Sequence, residues 1–327
     1  MPNIFQKVTV RACTDIALIK YWGKKDERLR LPENGNISMK LNGLDTTTSV
    51  EFKSDLEHDE VTIDGESSQS AVARVVSHLD RVRSLAGISE RAVVESANNF
   101  PKSTGLSSSS SAFAALTVAA TKAAGLDLSE RELSILARQG SGSACRCVCE
   151  GFVEWLDGDS SETSYAQTLY PTNYWNICDM VVIVATEEKP ISSTEGHTRA
   201  RTSPFYERRL MGMASKIQSL KSSLAMRDFE QLGEVVEKEA LEFHSILFTS
   251  NPPLIAWLPG TVAVMHAVVR LRAEGVPAYF TINTGFNVHV LTLPEYESKV
   301  VTALRALPEV TDIIQAKVGG KPEIITI

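Results

Sequence analysis

A row of serines at 107–111 follows Gly105, where one apolar run ends and an alanine-rich run begins. The run at 92–97 predicts a strand, and the run at 112–124 predicts a helix. A helix start has unpaired N–H groups and the positive end of the helix dipole, and small residues let a phosphate approach both. The pattern therefore indicates a phosphate-binding loop, with a flexible linker or a plain helix cap as the alternatives. No Gly-Lys-Ser/Thr ends the loop, which excludes a Walker A motif.

A second glycine-serine segment, Gly-Ser-Gly-Ser-Ala-Cys-Arg at 140–146, has the same character. It predicts another helix start, with the cation Arg146 one turn into the helix. The guanidinium is a planar fork that suits phosphate and carboxylate groups, although an arginine more often forms a surface ion pair. We expect the two serine-lined helix starts to face each other across a cleft and to bind two anionic ligands.

The composition is that of a folded protein. The chain has 327 residues, of which 43% are hydrophobic and 22% charged, enough for two domains or one large domain. The net charge of −7 argues against a general nucleic-acid-binding protein, which needs a basic face. No apolar run is long enough to span a membrane, and no secretory signal pattern opens the chain. We therefore expect a cytoplasmic protein with no nucleic-acid or membrane partner.

The cysteines do not predict a metal site. Their number is five, and no spacing between them matches a zinc motif. Cys145, Cys147 and Cys149 fall at alternate positions of a predicted helix, so they point to different sides and cannot share one metal. We interpret them as small buried hydrophobic residues in a reducing compartment.

The hydrophobic pattern predicts an α+β fold, because strands and helices occur without strict alternation. Strands are predicted at 5–12, 16–20, 46–52, 60–63, 92–97, 152–156, 180–185, 278–283 and 287–292, with two more near the C-terminus. Helices are predicted at 72–87, 112–124, 204–226, 229–246, 262–274 and 294–304, and after a capping box formed by Ser129 and Glu132. The polar segment 186–201 is a candidate inter-domain or lid segment.

Several segments, in order along the chain, carry a family resemblance. They are Ile-Ala-Leu-Ile-Lys-Tyr-Trp-Gly-Lys at 16–24, the phosphate loop at 98–112, Arg-Gln-Gly-Ser-Gly-Ser-Ala-Cys-Arg at 138–146 with Gly-Phe-Val-Glu-Trp at 151–155, and, less closely, 240–244 and 283–287. Together they resemble the diphosphomevalonate decarboxylases, members of the GHMP small-molecule kinase superfamily. The resemblance covers nearly the whole chain.

The resemblance implies a two-lobed GHMP kinase fold, with an N-terminal α/β lobe at 1–185 that carries the ATP loop and a C-terminal ferredoxin-like lobe at 186–327. The active site is expected between the lobes, in a homodimer. The implied reaction uses ATP and Mg²⁺ to phosphorylate the 3-hydroxyl of mevalonate 5-phosphate or 5-diphosphate. Loss of that phosphate together with CO₂ then gives isopentenyl phosphate or diphosphate.

The resemblance also assigns residues to roles. The nucleotide would be bound by Asn98, Pro101, Gly105, Leu106, Ser107, Ser108, Ser109, Lys189 and Ser193, with Ser109 also binding Mg²⁺. The substrate would be bound by Tyr21, Lys24, Ser141, Ser143, Arg146 and Thr194. The catalytic set would be Lys24, Asp15, Asn283 and Arg146. Without the resemblance, the serines would be read as helix caps and Tyr21 as a core residue.

One departure from the family concerns the catalytic carboxylate. Asn283 stands where the family has an aspartate, the first residue of Asp-Ala-Gly-Pro-Asn, and a carboxamide cannot act as a base. Asp15 stands where the family usually has an asparagine. We hypothesise that the carboxylate has moved across the pocket, so that Asp15 performs the usual aspartate's role. The rival hypothesis is that Asn283 is an engineered replacement that traps the substrate, with Asp15 incidental.

A second departure concerns the substrate's phosphates. Thr194 stands where the family commonly has an arginine that reaches the terminal phosphate, and Asn36 replaces a usual serine. A weaker hold on a second phosphate would suit mevalonate 5-phosphate. Lys102, in the phosphate loop, replaces a small residue and could compensate, so both substrates stay open.

Two other functions compete with the decarboxylase. Loss of the usual aspartate could leave a kinase that phosphorylates the 3-hydroxyl and stops there. It could also leave a catalytically silent protein that binds ATP or a metabolite, although the intact set of Lys24, Ser141, Ser143 and Arg146 argues against this.

Overall fold

The computed structural model describes residues 6–100, 108–187 and 193–325, without the side chain of Ser193. The strands are β1 (Val8–Ile19), β2 (Lys24–Asp26), β3 (Leu31–Pro32), β4 (Asn36–Lys53), β5 (Glu60–Ile63), β6 (Arg91–Asn98), β7 (Phe152–Trp155), β8 (Ala166–Tyr170), β9 (Cys178–Ile183), β10 (Ala278–Thr281), β11 (Val288–Thr292), β12 (Asp312–Val318) and β13 (Glu323–Ile325). The α-helices are α1 (Gln69–Ala86), α2 (Ser108–Ala123), α3 (Glu130–Gly140), α4 (Ala144–Cys147), α5 (Ser193–Arg199), α6 (Tyr206–Met211), α7 (Met213–Met226), α8 (Phe229–Thr249), α9 (Pro259–Ala273) and α10 (Glu297–Arg305). Short 3₁₀ turns lie at Ala200–Thr202 and Pro294–Tyr296.

One 11-stranded sheet runs through both halves of the chain. Its main path is β10-β11-β9-β12-β4-β1-β13; β6 and β7 also pair with β4, β5 pairs with β6, and β8 pairs with β7. Strand β12 pairs with β9 on one side and with β4 on the other, so it links the C-terminal strands to the N-terminal ones. The predicted α+β class is confirmed. The division of the chain near residue 185 stays a prediction.

Helices bury apolar residues against both faces of this sheet. Helices α1, α2 and α3 cover one core, which includes Leu79, Leu116 and Leu136. Helices α7 and α8 cover a second core with the inner part of β1, and α9 and α10 cover a third over β9 and β11. These layers leave the C-terminal end of β1 between the N-terminal helices and α8.

Several elements differ in detail from the prediction. The predicted strands 5–12 and 16–20 form one strand, β1, because a register shift between Cys13 and Thr14 lets pairing with β4 continue past an irregular point. The predicted helix 204–226 is two helices, α6 and α7, which meet at Gly212. The half-polar strand β8 was not predicted.

Several features predicted from the sequence lie within helices of the structure or at their ends. The Ser129–Glu132 capping box begins α3, and Gly87 in the left-handed conformation ends α1. The C-terminal part of the segment 186–201 is helical, as α5. No described helix is long and apolar enough to cross a bilayer. Pro101, Lys102, Gly105, Leu106, Ser107, Lys189 and the side chain of Ser193 lie outside the described residues.

Candidate active site

The two serine-lined helix starts are in contact. The Ser110 and Ser143 hydroxyls lie 2.5 Å apart, and the Ser141 hydroxyl donates to Ser109 Oγ over 3.5 Å. Ser109 and Ser110 belong to the first turn of α2, while Ser141 and Ser143 precede α4. The structure therefore brings three of the predicted ligand-binding serines, Ser109, Ser141 and Ser143, together with Ser110, whose role was not predicted.

Two glycines permit this close approach. A Cβ at Gly140 would lie 2.3 Å from the ring of Phe113 on α2. A Cβ at Gly142 would lie 2.8 Å from Tyr21 Oη. The Gly-Ser-Gly-Ser pattern is thus needed for packing as well as for backbone exposure, because a side chain at either glycine would separate the elements.

Tyr21 is fixed between two aromatic neighbours beside this loop. Its ring centroid lies 4.6 Å from that of Trp155 and 4.3 Å from that of His197 on α5. His197 is itself held because its Nδ1 accepts a hydrogen bond from the Gly23 N–H. The Tyr21 hydroxyl is buried and has no hydrogen-bond partner in the described part of the chain. A buried, unpaired hydroxyl beside Gly142 is consistent with the predicted substrate contact.

Arg146 and Asp15 form a buried ion pair behind the serines. Arg146 Nε donates to Asp15 Oδ2 over 2.6 Å, and Arg146 Nη1 donates to Asn36 Oδ1 over 2.7 Å. The Cys147 thiol donates to Asp15 Oδ1 over 3.3 Å. The side chains of Arg146 and Asp15 are 4% and 0% exposed. The ion pair therefore fixes the guanidinium that was predicted to bind substrate.

The surroundings keep Asp15 ionised. Burial alone would raise its pKa, but Arg146 and Lys40 more than offset this and leave the pKa of Asp15 lowered. Lys40 is fully buried, and its Nζ donates to the carbonyl oxygens of Cys13 and Cys147. Arg146 and Lys40 carry two positive charges against one negative charge on Asp15. This buried cluster therefore has a net charge of +1, which suits an anionic ligand.

The cysteines are all free and buried, as expected from the sequence. Cys147 is more than a small hydrophobic residue, however, because its thiol contacts the Asp15 carboxylate. Helix α4 ends at Cys147, so Cys149 lies beyond it and not on a longer helix as predicted.

Asn283 contacts a buried lysine that sequence reasoning missed. Lys20, at the C-terminal end of β1, donates from Nζ to Asn283 Oδ1 over 3.2 Å and to Ala17 O over 2.6 Å. His244 Nε2 donates to the backbone oxygen of Asn283 over 2.9 Å. Lys20 and His244 both lie in segments that carry the family resemblance, and this was the available signal.

Helices from the C-terminal half hold the backbone of Lys20. Its N–H donates to Glu239 Oε1 on α8, and its carbonyl accepts from Arg209 Nη2 on α6. Glu239 is fully buried and pairs with Arg209 and Lys216. Burial is the main cause that lowers the pKa of Lys20 to about 7, with Glu239 acting in the opposite direction.

The other predicted site residues that the structure describes are Lys24, Asn98, Ser108 and Thr194. The Lys24 side chain is 2% exposed and forms an ion pair with Glu27. Asn98 ends β6, where its side chain accepts from Thr46 and donates to Asp64. Ser108 begins α2, and Thr194 is exposed on α5. The functional roles of these residues stay predictions.

Proteins of known family resemble this chain over nearly its whole length. Residues 12–166 match the family model of the diphosphomevalonate decarboxylase-like N-terminal domain, and residues 179–325 match that of the mevalonate 5-diphosphate decarboxylase C-terminal domain. The chain is 33% identical to the phosphomevalonate decarboxylase of Haloferax volcanii, over 98% of each chain.

Solved structures agree with these matches. The chain is similar to the mevalonate diphosphate decarboxylase of Staphylococcus aureus, with 37% identity over 100% of each chain and a TM-score of 0.93. It is also similar to a structure of MDDEF in complex with MVAPP, AMPPCP and magnesium, with 36% identity, 98% and 99% coverage and a TM-score of 0.91. The fold is that of a GHMP-type small-molecule enzyme. The chain belongs to the diphosphomevalonate decarboxylase family.

Proposed function

We propose that this chain catalyses the ATP-dependent decarboxylation of mevalonate 5-phosphate or 5-diphosphate, through phosphorylation of the 3-hydroxyl. The observation that carries the proposal is the meeting of Ser109 and Ser110 with Ser141 and Ser143, beside the buried Arg146–Asp15 pair. Relatives over nearly the whole length of the chain carry the names of decarboxylases for both substrates.

The substrate's acidic groups would be bound by the +1 cluster and the second serine loop. Arg146 is held by Asp15 and Asn36 in one orientation, so its remaining N–H groups are preorganised for a carboxylate or phosphate. The unpaired Tyr21 hydroxyl and the serines around Gly142 add polar contacts. The burial of these groups excludes water and strengthens each interaction with the anion.

ATP and Mg²⁺ fit the start of α2. Mg²⁺ is usually bound by few protein oxygens together with substrate phosphates and waters. The described residues hold no cluster of three or more His, Cys, Asp or Glu side chains that could bind a metal. Ser108 and Ser109 would supply the protein oxygens. When bound, the ion neutralises charge on the transferred phosphoryl group.

The direct test is turnover with mevalonate 5-phosphate and with the 5-diphosphate, following ADP and CO₂ release together. Equal release of the two products supports the decarboxylase. ADP without CO₂ would indicate the 3-kinase, and no ADP with either substrate would indicate a silent binding protein. A preference above about tenfold in kcat/KM, or roughly 1.4 kcal/mol, would identify the preferred substrate.

We also propose a cytoplasmic location, on the free cysteines that suit a reducing compartment, and a homodimer, on the family resemblance alone. Sedimentation equilibrium of the full chain tests the dimer.

A further inference from the structure

Lys20 is placed to do more than position Asn283. Its side chain is almost fully buried, with 2% of the residue exposed. Its Nζ donates to two acceptors, Ala17 O and Asn283 Oδ1, and makes no third hydrogen bond to a residue that the structure describes. A neutral amine has two N–H donors and one lone pair, whereas an ammonium has three donors and no lone pair. Two acceptors leave one tetrahedral position of Nζ without a partner among the described residues, and a neutral amine would carry its lone pair there.

The other side chains at this site are poor proton acceptors. Asn283 has a carboxamide, which cannot accept a proton as a base. Asp15 already accepts hydrogen bonds from Arg146 and Cys147, and its lowered pKa makes it a weak base. His244 Nε2 donates to the Asn283 carbonyl, which leaves the lone pair on Nδ1, but burial lowers the pKa of this ring to about 3 and makes it a weak base.

We infer that Lys20 is the general base for the 3-hydroxyl, an inference that rests on the proposed function. The hydroxyl oxygen attacks the γ-phosphorus, the bond from that phosphorus to the ADP oxygen breaks, and the hydroxyl proton moves to the lone pair of Lys20 Nζ. The Asn283 amide oxygen orients the amine through this step. When the C3–O bond breaks, the ammonium returns its proton to the departing phosphate, and the electrons of the breaking C–CO₂ bond form the alkene.

The charges around Lys20 allow both protonation states. Burial, the largest influence, and Arg146 favour the neutral amine; carboxylates from three elements favour the ammonium. The charged or titratable groups that face it are Asp15 on β1, Arg146 on α4, Asp179 on β9, Arg209 on α6, and Glu239 and His244 on α8. The resulting pKa of about 7 is suited to proton transfer near neutral pH.

The test compares Lys20→Arg and Lys20→Ala with the parent chain. Arginine keeps the positive charge and the donors but cannot act as a base near neutral pH. We expect both variants to lose at least about a hundredfold in kcat, with little change in the KM of the mevalonate phosphate. Primary amines added to the Lys20→Ala variant should restore its kcat in proportion to their free-base concentration. Circular dichroism and melting curves check that the variants fold.

A second measurement does not depend on turnover. In ¹³C NMR of lysine-labelled full-length protein, the Lys20 Cε signal, assigned by its loss in Lys20→Arg, should titrate near pH 7. Titration above pH 9, or a Lys20→Arg enzyme within tenfold of the parent kcat, would overturn the inference. Failure of the proposed function looks different, because then the parent chain would release no ADP while the titration of Lys20 would still be measurable.

Discussion

Arg146 Nε lies 2.6 Å from Asp15 Oδ2, at a place where neither side chain reaches solvent. Removing one partner of a buried ion pair leaves an uncompensated charge, which costs about 3 kcal/mol or more. We therefore expect Asp15→Ala to lower the free energy of unfolding by roughly that amount, measured by urea denaturation at pH 7. Asp15→Asn keeps a hydrogen-bond acceptor for Arg146, so its free energy of unfolding should fall less than that of Asp15→Ala. A loss below about 1 kcal/mol for Asp15→Ala would contradict a strong buried pair.

Asp15→Asn also separates two hypotheses about the reaction. If Asp15 had taken the role of the family's aspartate, this variant would lose nearly all turnover. With Lys20 as the base, we expect its kcat to stay within about tenfold of the parent value, and the measurement is steady-state ADP release. The matched variant Asn283→Asp restores the family's residue and should remain active.

His244 should make the protein less stable in mild acid. Burial lowers its pKa from 6.5 to about 3, so the folded state keeps the ring neutral while the unfolded state binds a proton below pH 6.5. Above pH 6.5 His244 does not affect the free energy of unfolding. As the pH falls from 6.5 toward 3, His244 lowers the free energy of unfolding progressively, by about 2 kcal/mol at pH 5. His244→Gln keeps a donor for the Asn283 carbonyl and removes the titration. Unfolding free energies at pH 7 and pH 5 should therefore differ less in this variant.

The exposed His266 on α9 provides the control for that experiment. His266→Gln should leave the difference between pH 7 and pH 5 unchanged. If His244→Gln and His266→Gln gave the same pH dependence as the parent chain, burial of His244 would have no thermodynamic effect.

Thr194→Arg should shift substrate preference toward the diphosphate. It restores the cation that the family commonly has at this position of α5, and a hydrogen bond to a charged group contributes about 1.5 kcal/mol or more. We expect the ratio of kcat/KM for the diphosphate to that for the monophosphate to rise about tenfold. Thr198→Arg adds the same charge one turn further along α5, also at an exposed position, and should leave the ratio unchanged. An equal shift in both variants would indicate only a general charge effect.

Gly142→Ala should displace Tyr21. The new Cβ would lie 2.8 Å from Tyr21 Oη, closer than side chains tolerate, while the ring is held by Trp155 and His197. Misplacement by about 1 Å can reduce activity about a hundredfold, and kcat/KM for the mevalonate phosphate is the measurement. Tyr21→Phe removes the atom nearest to the new Cβ. The double variant Gly142→Ala/Tyr21→Phe should therefore lose less activity, as a free energy, than the two single variants lose together.

Gly212→Ala is the matched control for Gly142→Ala. A Cβ at Gly212 would meet its nearest neighbour, Arg209 O, at an ordinary contact distance of 3.5 Å. Activity should not change. A loss in Gly212→Ala as large as that in Gly142→Ala would show that any added methyl group disturbs this fold.

Local features of the fold were predictable because they depend on neighbouring residues. The Ser129 capping box, the Gly87 helix end and both glycine-serine segments are patterns of a few consecutive positions. The continuity of β1 was not predictable, because it depends on pairing with β4 across a register shift. The break at Gly212 was missed because the helical pattern continues on both sides of it.

The site was predictable in part for the same reason. Ser141, Ser143 and Arg146 stand in one short segment, so their shared location follows from the sequence. The environment of Lys20 does not, because Glu239 and Asn283 are 219 and 263 residues away along the chain. Its lowered pKa results from burial by elements that only the folded chain brings together.

The pairing of β13 with β1 joins the last strand of the chain to the first, through Thr9–Ile325, Val10–Ile324 and Arg11–Glu323. A ribosome releases residues in order, so the edge of β1 stays open until residues 323–325 have emerged. The same holds for β12, whose pairing closes the gap between β4 and β9. Completion of the sheet therefore waits for residues 312–325, and until they emerge the nascent N-terminal half has an uncovered edge that chaperones or premature association could occupy.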